Sequence, residues 1–193
     1  MLLTGILIFE SIYIMGRSAN ALASAGSGRV LLGLSVDRLA SMDIGDTAPA
    51  FTLDDETGAP RSLDRLLEAG PVVLFFYPLA MSAGCTAEAC HFRDLVAEFQ
   101  ALGATPVGIS HDSVERQAAF AAKHSLGYPL LSDPDGAVAE AFGVRRKLTI
   151  VQTKRKTFVI GEGREVIGAI KSELNMNAHA DKALAVLKER QAA

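Results

Sequence analysis

Apolar and polar positions follow two alternating regimes along the chain, and the changes of regime mark its elements. Pro71 is followed by VVLFFY (72–77), a continuous apolar run rich in β-formers, which predicts a strand hidden on both faces. From about Cys85 to Leu102, Cys85, Ala89, Phe92, Val96 and Phe99 recur at helical spacing. They predict a helix with one buried face, which Gly103 ends. TPVGIS (105–110) predicts a second buried strand. Asp112 and Glu115 have capping-box spacing and start a helix expected to run to about His124, broken by Gly127 and Pro129. Asp133-Pro134-Asp135-Gly136 predicts a turn, followed by a short helix near 137–142. KTFVI (156–160) predicts a strand, Gly161-Glu162-Gly163 a hairpin turn, and EVIGAI (165–170) the returning strand. Ala180, Ala183, Leu184 and Leu187 give a final amphipathic helix.

This alternation argues for an α/β fold. The order β-α-β-α, then a hairpin and a closing helix, resembles the thioredoxin-like pattern, a central mixed β-sheet flanked by helices. A chain of 193 residues suits one domain with a substantial core. With 49% apolar residues and a mean hydropathy of +0.24, disorder is excluded as the default. The 19 basic and 22 acidic residues leave a net charge of −3. The densest basic run, Lys154-Arg155-Lys156, is flanked by β-formers, so no nucleic-acid partner is expected. No apolar run reaches about 18 residues, so no transmembrane helix is expected.

Residues 2–15 (LLTGILIFESIYIM) are apolar apart from Thr4, Glu10 and Ser11, and a small, polar stretch follows. The pattern superficially resembles a signal peptide, but no positive charge precedes the run and Glu10 lies inside it. Met42 begins MDIGDTAPAFTL, which reads like the start of a domain. The expectation is therefore a domain over 42–193 and a non-domain extension over 1–41, translated from a mis-assigned start. A signal or anchor segment and a genuine extension are the alternatives. A start at Met42 would make the working protein cytoplasmic.

The chemistry concentrates in YPLAMSAGCTAEAC (77–90), where a buried strand gives way to a helix. Open α/β folds place their ligands and chemistry at such junctions. Cys85 falls in the first helical turn, where unpaired N–H groups and the positive end of the helix dipole favour the nucleophilic thiolate. A free cysteine is only a few per cent thiolate at pH 7, so full ionisation supplies about 30-fold, roughly 2 kcal/mol. The rest must come from groups that hold a substrate and stabilise developing charge. The candidates are the N–H groups of Gly84 and Cys85, the Ser82 hydroxyl and one arginine. Pro78 can shield the thiolate, and it has no N–H to compete for it.

Cys90 lies five residues further on, which in a helix means about 7.5 Å of rise and about 140° of rotation. It is expected beside Arg93, Asp94 and Ala97, off the buried face that carries Cys85. A disulfide between two such positions requires the helix to unwind locally. Two cysteines do not make a stapled scaffold. The C-x-x-C of thioredoxin-type reductases is absent, and a zinc site on Cys85, Cys90 and His91 lacks a fourth ligand. The chain's four histidines show no ligand spacing and are read as surface or core residues. Arg145, Arg146 and Lys147 read as a solvated turn, with a second anion-steering patch as the alternative.

At these residues the segment closely resembles the peroxiredoxin family, specifically its bacterioferritin comigratory protein or Q-type branch. The family pattern P-x-x-x-[TS]-x-x-C is met by Pro78, Ser82 and Cys85, and the extension G-C-T-x-E-A-C by Gly84 through Cys90. The likeness extends over GDTAPAFTL (45–53), ISHDSVERQAAFAAKHSLGYPLLSD (109–133) and KRKTFVI (154–160), and covers about Met42 to Glu189. The resemblance implies that Cys85 is the peroxidatic cysteine, passing through a sulfenic acid. It implies that Cys90 is the resolving cysteine, forming an intramolecular disulfide that thioredoxin or a similar dithiol reduces. Ser82 and Arg155 would position the peroxide and stabilise the thiolate, and Glu88 would order the loop or the arginine, with a plain first-turn acid as the alternative. No metal or other cofactor is implied, and the branch leans towards monomers. The sequence departs from the branch at Ser82-Ala83, where Thr-Pro is usual, and at Gly161, where aspartate is common. Serine keeps the hydroxyl, while loss of the proline is expected to loosen the loop. A thiol redox sensor or partner-binding protein on the same scaffold is the alternative function, and a holdase-like structural protein a further one.

Overall fold

The computed structural model describes residues 42–146 and 152–192. The expectations for residues 1–41 and for Lys147 lie outside the described residues. The chain runs through β1 (Thr52–Asp55), β2 (Pro60–Ser62), α1 (Leu63–Leu67), β3 (Val72–Phe76), α2 (Ala83–Asp94), α3 (Val96–Ala101) and β4 (Thr105–Ser110). It continues through α4 (Val114–His124), β5 (Leu130–Ser132), α5 (Ala137–Ala141), β6 (Lys156–Ile160), a 3-10 turn (Glu162–Arg164), β7 (Val166–Lys171) and α6 (Asn177–Gln191). One seven-stranded sheet has the order β2-β1-β5-β4-β3-β6-β7. Its centre, β5-β4-β3, is parallel, and β1, β6 and β7 join antiparallel, giving the expected mixed sheet flanked by helices.

The apolar run of β3 works on both faces. Val73, Phe75 and the following Tyr77 enter a core with Phe92, Phe99, Phe120 and Leu184. Val72, Leu74 and Phe76 enter a second core with Leu63, Phe142 and Phe158. All six of these β3-side residues are fully buried, as the period-2 geometry of a covered strand requires. Gly108 in β4 makes room for the aromatic layer: a Cβ there would lie 2.8 Å from Leu130, 2.9 Å from Phe75 and 3.1 Å from Tyr77. Phe75 stacks on Phe92 with centroids 4.2 Å apart, fixing α2 against the sheet beside the junction of interest.

Two local expectations are corrected. The single helix from Cys85 to Leu102 begins at Ala83 and breaks at Leu95, which leaves helical geometry at φ −102°, ψ 6°. The cap of α4 is Ser113, whose hydroxyl accepts from the Arg116 N–H. Asp112 is nearly buried and holds the loop before α2 instead.

Candidate functional site

Antiparallel pairing of β3 with β6 sets Phe76 opposite Lys156. The loop leaving β3 towards Cys85 and the segment delivering Arg155 into β6 therefore arise at the same end of the sheet. Cys85 is the third residue of α2, following the cap residue Ser82. The N–H groups of Ala83, Gly84 and Cys85 have no acceptor inside the helix, because Thr86 makes its first bond, to the Ser82 carbonyl at 2.8 Å.

The loop between strand and helix is firmly held. Ala80 donates its N–H to Asp112 Oδ2 at 2.7 Å, and its carbonyl accepts from Arg116 Nη2 at 3.1 Å. Asp112 is itself bonded by the Ser110 hydroxyl at 2.8 Å and paired with Arg116 Nε at 2.8 Å. Met81 takes a left-handed φ of 69°, rare for a residue with a side chain. These contacts fix Ala80 from both sides without the proline whose loss was expected to loosen the loop.

Cys85 is only 2% exposed, and Arg155 Nη2 donates to its Sγ at 3.3 Å. Arg155 Nη1 donates to Glu88 Oε2, so one guanidinium bridges the thiol and the carboxyl. Gly84 leaves room for that arginine: a Cβ there would lie 3.4 Å from Nη2 and 3.6 Å from Met176 Sδ. Ser82 directs its hydroxyl to the Leu79 carbonyl at 3.0 Å. Pro78 faces a cleft it shares with His111, Asp112 and Gln152, which Cys85 does not line. The structure thus brings together Cys85, Gly84, Glu88 and Arg155, with Ser82 and Pro78 on the adjoining loop.

Glu88 is fully buried, where a plain first-turn acid would be solvated. Behind it lie His179 from α6 and Thr157 from β6, both fully buried, which sequence reasoning did not single out. His179 Nδ1 is 3.7 Å from Glu88 Oε1 and 2.9 Å from the Thr157 hydroxyl, and Nε2 is 2.8 Å from the Ser172 carbonyl. Burial pushes the Glu88 carboxyl up to about 7, against the lowering pull of Arg155. Burial lowers His179 below the usual imidazole range. Burial pulls Arg155 down, but its bonds and attraction to the acidic partners Glu88 and Cys85 outweigh that and hold it above its usual value.

A carboxyl raised from 4.5 to about 7 on folding binds its proton more tightly in the folded state. Its contribution to stability is full below pH 4.5 and is lost as pH rises through about 7. Glu88→Gln should flatten that part of the stability profile. Urea midpoints measured across pH 4.5 to 7 check this, and an unchanged slope would contradict the assignment.

Cys90 lies on the other side of α2, partly exposed, with Sγ 3.9 Å from His124 Nδ1. Both thiols are free, and α2 is continuous between them. Two bonds fasten this stretch of helix to the end of α4 and the segment that follows it. The Tyr128 hydroxyl donates to the Ala89 carbonyl at 2.7 Å, and Arg93 Nη1 to the His124 carbonyl at 2.9 Å. Elsewhere, Arg145 pairs with Glu140, Arg146 with Glu173, and His91 with Asp181, the three cationic side chains being part-exposed.

The family model described as AhpC/TSA family matches residues 44–168. The crystal structure of the peroxidoxin BcpB from Mycobacterium tuberculosis is similar at 56% identity and a TM-score of 0.74, covering 77% of this chain and 97% of that one. The chloroplastic peroxiredoxin Q of Sedum lineare is 39% identical over 144 residues, 75% of this chain and 77% of its own length. A Xanthomonas campestris bacterioferritin comigratory protein, solved in a study of its alkyl peroxide reduction activity, is 31% identical with a TM-score of 0.67. That match covers 72% of this chain and 91% of the other.

Proposed function

The chain belongs to the AhpC/TSA family as a peroxiredoxin of the bacterioferritin comigratory protein or Q-type branch, and from that membership we propose a specific peroxidase cycle. It reduces hydrogen peroxide and organic hydroperoxides to water and alcohols through Cys85 and Cys90. The observation that carries this reading is the Arg155 guanidinium 3.3 Å from Cys85 Sγ at the open N-terminus of α2. Cationic and N–H donors converge there on the place where a peroxide must bind and negative charge must develop.

The Cys85 thiolate attacks one peroxide oxygen; the S–O bond forms, the O–O bond breaks, and the leaving oxygen takes a proton. Ser82, whose hydrogen is on the Leu79 carbonyl, offers a lone pair to the peroxide O–H. Pro78 shields the sulfur without offering it an N–H. Cys90 then attacks the sulfenic sulfur, forming the disulfide and releasing water, before a third oxidation state can be reached. With the thiols five positions apart on one helix, α2 must unwind for this bond to form. Thioredoxin or a similar dithiol returns both thiols, itself becoming a disulfide. Such recycling suits the reducing cytoplasm, to which we assign the protein as a monomer. Among the described residues no helix is long and apolar enough to cross a membrane.

We also take Met42 as the start of the working domain. Its carbonyl accepts from Lys156 Nζ at 2.5 Å and its side chain joins the core. One experiment tests these readings together, on the full chain and on a chain beginning at Met42. One equivalent of hydrogen peroxide should consume both thiols, and the protein should run as a single chain on a non-reducing gel. Thioredoxin with its reductase and NADPH should restore both thiols. Loss of only one thiol, or a disulfide-linked dimer, would overturn the intramolecular cycle.

A further inference from the structure

We propose that Glu88 is the proton reservoir of the peroxide-reducing step: it holds a proton while Cys85 is a thiolate and yields it to the leaving oxygen as Cys85 becomes neutral. This rests on the reading of Cys85 as the peroxidatic cysteine, and concerns what balances its charge.

The cluster is dry. Glu88, His179 and Thr157 are fully buried, Cys85 is 2% exposed and Arg155 6%. It holds one certain cation and two acids. Arg155 gives Nη2 to the thiol and Nη1 to Glu88 Oε2, so both acids share a single positive charge. His179 does not supply a second. Its Nε2 faces the Ser172 carbonyl, which can only accept, so the hydrogen of a neutral imidazole sits on Nε2. Nδ1 is then an acceptor, facing the Thr157 hydroxyl and Glu88 Oε1. A thiolate and a carboxylate together would leave the cluster with an uncompensated buried charge, which is costly. One of the two acids must therefore be neutral, and the chemistry requires the sulfur to be the anion.

Glu88 Oε1 is the natural seat of the proton. It is buried without a hydrogen-bond partner among the described residues and lies 3.7 Å from the basic nitrogen of His179. The raised titration of this carboxyl agrees with a proton held there. The other groups acting on it are the Glu173 carboxylate, which favours the neutral form, and the Tyr128 phenol, itself pushed up by burial.

Charge then swaps within the cluster. Cys85 Sγ⁻ attacks the peroxide, the S–O bond forms as the O–O bond breaks, and an alkoxide or hydroxide leaves at the guanidinium. Glu88 gives up its proton as the sulfur loses its charge, and the leaving oxygen ends as an alcohol or water. The products are a neutral sulfenic acid and a Glu88 carboxylate paired with Arg155. The buried charge is zero before and after, and no proton is drawn from the medium.

The test counts protons. Reduced Cys90→Ala protein, which stops at the sulfenic acid, is mixed with one equivalent of hydrogen peroxide in weak buffer with a pH indicator at pH 6. Oxidation is counted by the mass gain of one oxygen on Cys85. The expected uptake is near zero protons per oxidised Cys85, rising to near one in Cys90→Ala/Glu88→Gln. Near-equal uptake in the two proteins overturns the proposal. At pH 9 the Glu88-containing protein should itself take up close to one proton, and an unchanged value overturns it. A measurement on the Glu88-containing protein alone covers failure of the glutamine variant to fold. The oxidised-minus-reduced infrared spectrum should lose the carbonyl stretch of a protonated carboxyl, and its persistence overturns the proposal. If Cys85 gains no oxygen at all, the peroxidase reading falls and takes the proposal with it.

Discussion

Cys85→Ser loses peroxide reduction by at least about 10⁴-fold, the scale on which enzymes lose their nucleophile, whereas Cys90→Ala keeps the first step and loses recycling. Serine fits the Cys85 position and keeps the Arg155 contact available, so the loss reports nucleophilicity rather than packing. A hydroxyl is not ionised near neutral pH and is a poor nucleophile without a base. Cys90 stands on the other side of α2 beside His124, with neither Arg155 nor the free helix N–H groups near it. Alanine there leaves the Cys85–Arg155–Glu88 contacts intact. Stopped-flow peroxide consumption reads the first step, and thioredoxin-coupled NADPH oxidation reads the whole cycle. Full turnover by Cys90→Ala would mean that an external thiol resolves the sulfenic acid.

Arg155→Met slows the first step by about 10²–10³-fold, the range for removing one preorganised donor from a reacting centre. Methionine keeps much of the side-chain length and apolar stem, and removes both the Nη2–Sγ and Nη1–Oε2 bonds. It also leaves the Glu88 carboxyl buried without its cation, which destabilises the fold as well as the site. Arg155→Lys should recover less than about tenfold of the loss, because a single ammonium cannot present the flat fork that spans both acids. Pre-steady-state rates against peroxide concentration check both variants, with thermal unfolding measured in parallel. A rate within twofold of wild type in Arg155→Met would remove the arginine from the chemistry.

The parts of the fold visible in sequence were those whose burial is extreme. β3, β4 and β6 lie covered on both faces, so their apolar runs stand out without reference to partners. β1, β2 and α1 are three to five residues long and largely exposed, and they carry no period to read. β5 is short as well, and its Leu130-Leu131-Ser132 run fits helix or strand equally well. The cap of α4 went to Ser113 because Asp112 is drawn inward by the Ala80 N–H and Ser110 hydroxyl, a tertiary demand that spacing does not carry. The same holds at the site. Cys85, Gly84 and Glu88 sit in one motif on one helix, and Arg155 was reached only through family likeness. His179 and Thr157 had no local signal: each is an ordinary residue of its element until α6 packs against α2, β6 and β7.

Cys85 and Arg155 are 70 residues apart in the chain. At roughly 5–20 residues per second of synthesis, roughly 4–14 seconds separate the two on the ribosome. Through that interval the nascent cysteine lacks the guanidinium that the folded site places 3.3 Å from its sulfur. Arg155 immediately precedes β6, which follows β3 and β4 in the chain, so the cysteine meets its guanidinium only once that part of the chain has been made. Under the proposed cycle, peroxide reactivity at Cys85 is then expected only in chains that have folded through Arg155.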